Sequence, residues 1–313
     1  LAGRSNTLDG HDRAMIYDIA RHTYTWVDKG PWQAGAVAFT PDSKRVAYFI
    51  NADGRVNLYL YDIADGRSEK LAMPPGFNDY AGWPMPFSRD GTRVLILHQS
   101  SSEPADYWVY PVDGGAPHQL TFSALASIKP SALPACRLVH YRSFDGTVIS
   151  AFVWMPDNLK RDGSAPAVVL AHGGPAGQWF DEFDATVLAL ASRGYAVIAP
   201  NMRGSSGYGK AFEQANVKDL GGGDLKDEVY AAKFLVATGY VNPKKIGITG
   251  ESYGGYMALM AIGKTPDAWA AAVDESGVFN WLTMAEHQNR PLEKMNDPRL
   301  GNPIRDRAIY EAD

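Results

Sequence analysis

Between an apolar run, Ile246–Thr249, and a helix-like segment, Tyr256-Met257-Ala258-Leu259-Met260, stands Gly250-Glu251-Ser252-Tyr253-Gly254-Gly255. No other segment restricts the fold as strongly. Gly-x-Ser-x-Gly between a strand and a helix is a sharp turn that strains its serine, so small residues must flank it. The turn lifts the hydroxyl above the carboxyl edge of a sheet. The N-terminus of the next helix then aims amide hydrogens at an incoming oxyanion. Ser252 is the candidate nucleophile, and the Tyr253 backbone amide a candidate oxyanion donor.

The neighbouring segments fit the same plan. Ala167–Ala171, Tyr195–Ala199 and Ala270–Asp274 are further apolar runs. Unalternated apolar strands separated by helical stretches imply a parallel sheet covered on both faces. Ahead of them, Leu138–Tyr141 and Val148–Trp154 flank Asp145-Gly146, a hairpin signal. In the helix between the second and third runs, Leu225, Val229, Ala232 and Val236 form the expected buried stripe. Asp224, Asp227 and Glu228 read most simply as helix-start acids favoured by the dipole. The fold class is α/β: an α/β-hydrolase domain, a mostly parallel sheet with helices on both faces.

Two loops at strand ends complete the candidate site. His172-Gly173-Gly174-Pro175 follows the first run. In α/β-hydrolases this loop donates the second oxyanion amide, here from Gly174 or Gly173. His172 reads as a loop-organising residue, because this fold supplies its serine, acid and histidine in that chain order. Arg203-Gly204-Ser205-Ser206-Gly207-Tyr208-Gly209 follows the second run. It lacks the Lys-Ser/Thr pair of a phosphate-binding P-loop. With His172, its Arg203 and Tyr208 are expected at the active-site rim.

Residues before about 125 have another rhythm. Phe39-Thr40-Pro41-Asp42 precedes Arg45-Val46-Ala47-Tyr48, and Phe87-Ser88-Arg89-Asp90 precedes Arg93-Val94-Leu95-Ile96, an offset of 48 residues (87 − 39). A shorter echo relates Tyr17-Asp18-Ile19 to Tyr61-Asp62-Ile63. Such a period suits the four-stranded blade of a β-propeller; a small independent β-sandwich is the competing reading. The expected division is 1–125, a partial propeller of about two and a half blades, then 126–313, a catalytic domain incomplete at its C-terminus.

Composition excludes more than it selects. A net charge of −5 gives no attraction to nucleic acid. No apolar run reaches the roughly 18 residues of a bilayer span. Cys136 is the only cysteine, so no internal disulfide can form. No metal or organic cofactor is called for. Oligomeric state is left open, as is compartment, cytoplasmic or periplasmic.

The three motifs around His172, Arg203 and Ser252 stand in the order and spacing of the prolyl oligopeptidase family, and the chain is most similar to its acylaminoacyl-peptidase and dipeptidyl-peptidase-like branch. The early repeats resemble the last blades of that family's propeller. The resemblance covers nearly the whole chain. It implies a serine peptidase acting on oligopeptides, with Ser252 as nucleophile and amides near Gly174 and Tyr253 as the oxyanion hole. The family keeps its catalytic Asp and His after the nucleophile, on loops following later strands. Here only His287 follows Ser252 among histidines, 35 residues on (287 − 252), without an acid arranged around it. The aspartates that follow are Asp267, Asp274, Asp297, Asp306 and Asp313. The segment Asp297–Pro303 resembles the lead-in to the strand ending in the triad Asp. The expectation is a piece truncated at both ends, with triad Asp and His beyond residue 313, and inactive by itself. A carboxylesterase of the same fold and a non-catalytic interaction scaffold remain as alternatives.

Overall fold

The computed structural model describes residues 1–80, 85–129, 132–287 and 298–312. Asp297 and Asp313 lie outside them. The chain forms two compact units. The first comprises 1–133 with 180–184 and 207–210; the second comprises 134–179, 185–206 and 211–313.

The first unit is built of antiparallel blade sheets. β1 (Ala2–Ser5), β2 (Arg13–Asp18) and β3 (Thr23–Trp26) form a three-stranded sheet in sequence order. β4 (Gln33–Phe39), β5 (Arg45–Ala52), β6 (Arg55–Asp62) and β7 (Ser68–Lys70) form a four-stranded one. β8 (Phe77–Tyr80), β9 (Arg93–Ser100), β10 (Glu103–Pro111) and β11 (His118–Gln119) form the next.

The 48-residue repeat encodes a turn as well as strands. The Thr40 hydroxyl donates to Asp42 at 2.7 Å and accepts the Arg45 amide at 3.1 Å. The Ser88 hydroxyl donates to Asp90 at 2.6 Å and accepts the Arg93 amide at 2.9 Å. A hydroxyl and an aspartate two residues apart thus close the loop into β5 and into β9 alike. Two apolar layers separate the sheets. Val37, Val46, Tyr48 and Ile50 pack with Ala14 and Val27. Phe49, Leu58 and Leu60 pack with Val94, Ile96 and Tyr110.

The second unit carries a six-stranded sheet. Its strands are β12 (Cys136–Arg142), β13 (Val148–Trp154), β14 (Ala165–Ala171), β15 (Ala196–Asn201), β16 (Val241–Glu251) and β17 (Ala271–Glu275). Their order is β12-β13-β15-β14-β16-β17. The β12–β13 hairpin joins β15 antiparallel, and the remaining pairs are parallel. The helices are α1 (Ala185–Ser192), α2 (Lys210–Glu213), α3 (Gly223–Ala237), α4 (Tyr253–Lys264), α5 (Trp281–His287) and α6 (Arg307–Ala312). Val187 and Ala191 of α1 pack on one sheet face with Phe152, Val197 and Leu170. Leu225, Ala231 and Leu235 of α3 and Met257 and Ala261 of α4 pack on the other, with Val169, Ile198 and Ile248.

One expectation is corrected here. The buried face of α3 is Asp224, Leu225, Asp227, Glu228, Ala231, Ala232 and Leu235, so it takes in all three acids, while Val229 and Val236 are only half-buried. Asp224 does lie in the first turn, but the acids do more than meet the dipole: each is 0% exposed. They can turn inward because two have partners, as described next, and burial pushes the third, Glu228, well above the usual carboxyl range.

Candidate active site

β16 ends at Glu251 and α4 begins at Tyr253, so Ser252 alone makes the turn. Its backbone sits at φ 59, ψ −115, a region costly for a residue with a side chain. The surroundings enforce this geometry. A Cβ on Gly250 or on Gly254 would overlap the Ala171 carbonyl at the end of β14, so only glycine fits at either position. The Ser252 amide donates to the Glu275 carbonyl of β17 at 2.8 Å. The serine is solvent-exposed, whereas Tyr253 is 1% exposed. The Tyr253 amide belongs to the first turn of α4, whose N–H groups have no intrahelical acceptor.

The His172–Pro175 loop lies against this turn. A Cβ on Gly173 would stand 3.3 Å from the Glu251 carbonyl and 3.6 Å from Ser252 Cβ. Gly174 adopts φ 132, and a Cβ there would collide with the amides of Ala176 and Gly177. Gly173 therefore packs against the backbone that carries the nucleophile.

His172 is 6% exposed, with both ring nitrogens engaged. Nδ1 lies 2.8 Å from the Gly173 carbonyl, which can only accept, so this nitrogen holds the proton. Nε2 lies 2.7 Å from Ser205 Oγ on the next loop. Burial pushes the imidazole down to about 4, so it is neutral at neutral pH. Its bonds tie the two loops together.

Arg203 is 9% exposed. Its guanidinium spans Asp227, with Nε at 2.8 Å and Nη2 at 2.8 Å, and Asp145, with Nη1 at 2.9 Å. Its ring contact is Phe144, 4.6 Å from Cζ. The Asp227 carboxylate also takes the Arg203 amide at 2.9 Å and the Ser143 hydroxyl. Removing one partner of so buried a pair costs about 3–5 kcal/mol. Tyr208 groups with the first unit, where its hydroxyl donates to Asp53 at 2.8 Å and its ring stands edge-on to Trp32 at 6.3 Å.

Three of the later candidates have structural partners. Asp274 accepts the Gly277 amide at 2.7 Å, closing the turn after β17. Asp306 accepts the Asn302 amide at 2.8 Å. His287 is exposed at the end of α5, its Nδ1 on the Thr283 carbonyl at 2.9 Å. Among the described residues none of the hydrogen-bonded histidines has Ser252 as its partner. The described residues also include no cluster of three or more metal-ligating side chains.

Sequence reading missed a polar network behind the elbow. Tyr253 Oη donates to Asp224 Oδ2 at 2.5 Å. Asn216 Nδ2 donates to the same oxygen at 3.0 Å, and Arg299 Nη1 donates to Asn216 Oδ1 at 3.1 Å. The available signal was the spacing 224, 227, 228, which puts three acids on the helix face shared with Leu225 and Ala231.

A strained serine between a parallel strand and a helix, with a glycine loop against it and propeller blades earlier in the chain, defines an α/β-hydrolase of the propeller-bearing class. Residues 181–312 match the family model of the prolyl oligopeptidase family, and they belong to that family. The chain is 26% identical over 287 residues to dipeptidyl-peptidase 5 of Porphyromonas gingivalis, covering 90% of this chain and 41% of that protein. It is 30% identical over 224 residues to dipeptidyl aminopeptidase BIII of Pseudoxanthomonas mexicana, covering 67% of this chain and 32% of that protein. The acylaminoacyl peptidase structure of Pyrococcus horikoshii superposes with a TM-score of 0.79 at 25% identity, over 97% of this chain and 46% of that one. The chain thus spans less than half the length of these relatives.

Proposed function

We propose that this chain is part of a serine peptidase that hydrolyses short peptides through an acyl-enzyme on Ser252. The observation that carries the reading is the exposed serine held at φ 59, ψ −115 at the start of α4. The names of the relatives, dipeptidyl-peptidase, dipeptidyl aminopeptidase and acylaminoacyl peptidase, support a peptide substrate.

In this reading Ser252 Oγ attacks the scissile carbonyl carbon and its proton passes to a histidine. The amides of Tyr253 and Gly174, or Gly173, hold the oxyanion. The C–N bond breaks as the histidine protonates the leaving amine, and water then cleaves the ester. That histidine and its orienting aspartate are proposed to lie beyond residue 313. His172 is neutral and doubly bonded, so its part is to fix the loop bearing Gly173 and Gly174.

The test is hydrolysis of aminoacyl and acetyl-aminoacyl p-nitroanilides by the full-length protein, with and without Ser252→Ala. Cleavage that disappears in the variant is expected, and residues 1–313 alone are expected to be inactive. Full activity in the variant overturns the Ser252 mechanism. Serine-dependent hydrolysis of esters without amides would make the protein an esterase, and failure of a fluorophosphonate to label Ser252 would favour a scaffold.

A further inference from the structure

We infer that Asp224 is a positioning residue for the oxyanion hole, acting through the phenol of Tyr253; the inference rests on the serine-hydrolase reading above. That reading uses only the backbone of Tyr253, yet its side chain is anchored at every point. The ring is 1% exposed and packs on Tyr256 at 5.3 Å and Trp281 at 6.4 Å between centroids. Its hydroxyl ends on a carboxyl group that is itself 0% exposed. An apolar ring would fill the same space without burying an acid, which is costly unless the acid is bonded.

The acid is bonded on both oxygens. Oδ2 takes the phenol and Asn216 Nδ2, and Oδ1 takes the Leu225 amide at 2.9 Å. Asn216 is held in turn by Arg299. The acceptor therefore cannot drift: one atom is fixed by the start of α3 and the other by a chain of donors. From the phenol oxygen to the Tyr253 Cα the side chain has only two rotatable torsions, both packed. Fixing the oxygen fixes the residue whose amide faces the developing oxyanion. A donor must already be in place when charge appears, and losing one costs about 10²–10³ in rate. A donor displaced by a fraction of an ångström costs less, and the loss falls on the transition state, leaving ground-state binding alone.

The test uses the full-length protein carrying Tyr253→Phe, Asp224→Ala or Asp224→Asn. Competent sites are counted by stoichiometric fluorophosphonate labelling, so that misfolded protein drops out of the rate. Tyr253→Phe and Asp224→Ala should lower kcat per labelled site about tenfold or more, with KM within about twofold. Affinity for a peptide aldehyde, which forms the oxyanion, should fall in parallel. Asp224→Asn keeps an acceptor for the phenol and should restore most of kcat. An unchanged kcat per labelled site in both Tyr253→Phe and Asp224→Ala, with only thermal stability reduced, overturns the inference and leaves the peptidase reading intact. No labelling of the wild-type protein overturns both.

Discussion

Glu228 is 0% exposed, and neither carboxyl oxygen has a hydrogen-bond partner among the described residues. Burial first, then the nearby charges of Asp227 and Asp224, raise its carboxyl well above the usual range, which favours the protonated form in the folded protein. The unfolded chain ionises it near the ordinary value of 4.5. A raised folded-state value means stability that is complete below that point and declines as pH climbs through the raised range. Glu228→Gln should therefore match the wild type near pH 4 and exceed it at pH 8. Each kcal/mol gained is worth about 2–4 °C in Tm for chains somewhat smaller than this one. Thermal melts across that pH range check it, and equal offsets at both ends would refute it. This residue also shows where sequence reading stops. The elbow was legible because its pattern is local, five residues that run from the end of a strand into a helix. The inward turn of Asp227, the neighbour of Glu228, depends on Ser143 and Arg203, distant in sequence, and no spacing within α3 reveals them. The same holds for the Asp224–Tyr253 bond, which spans 29 residues.

At the scale of elements, the repeat made the blades readable because strand alternation and turn chemistry recur together. All four apolar runs of the second half became parallel strands, since a buried parallel strand needs no polar face to mark it. The α3 face came out rotated because apolar count was the only guide, and its acids were read as helix-start residues favoured by the dipole. The two blade turns give a direct measure of what the repeat contributes. Thr40 is 2% exposed, whereas Ser88 is partly exposed. Thr40→Val keeps the shape but removes the bond to Asp42 and leaves the Arg45 amide without its side-chain acceptor. It should cost about 1–3 kcal/mol, and Ser88→Ala about 0.5–1.5 kcal/mol because water replaces the lost partner. Urea denaturation midpoints of the two variants would rank them. A larger loss at Ser88 would show that burial does not set the value of this turn.

At the scale of the whole molecule, the surface of residues 1–313 is uneven. β17 is an edge of the six-stranded sheet, and Val273 on it is 56% exposed. Beside it opens a cavity of about 570 Å³ whose walls include Val168, Leu190, Tyr195, Ile248 and Ala271. Phe279 and Ile304 are 79% and 86% exposed. An apolar edge strand with unpaired backbone groups is a template for pairing with another chain. A net charge of −5 spread over 313 residues gives weak opposing repulsion. Residues 1–313 expressed alone should therefore self-associate as concentration rises. Val273→Lys should suppress this, because burying an ammonium in a strand-to-strand contact costs more than the added pairing returns. Light scattering coupled to size exclusion reads both results. If the chain stays monomeric at high concentration without the substitution, the β17 edge is protected by the fold itself. If Val273→Lys leaves the association unchanged, the contact lies elsewhere, with exposed Phe279 the next side chain to replace.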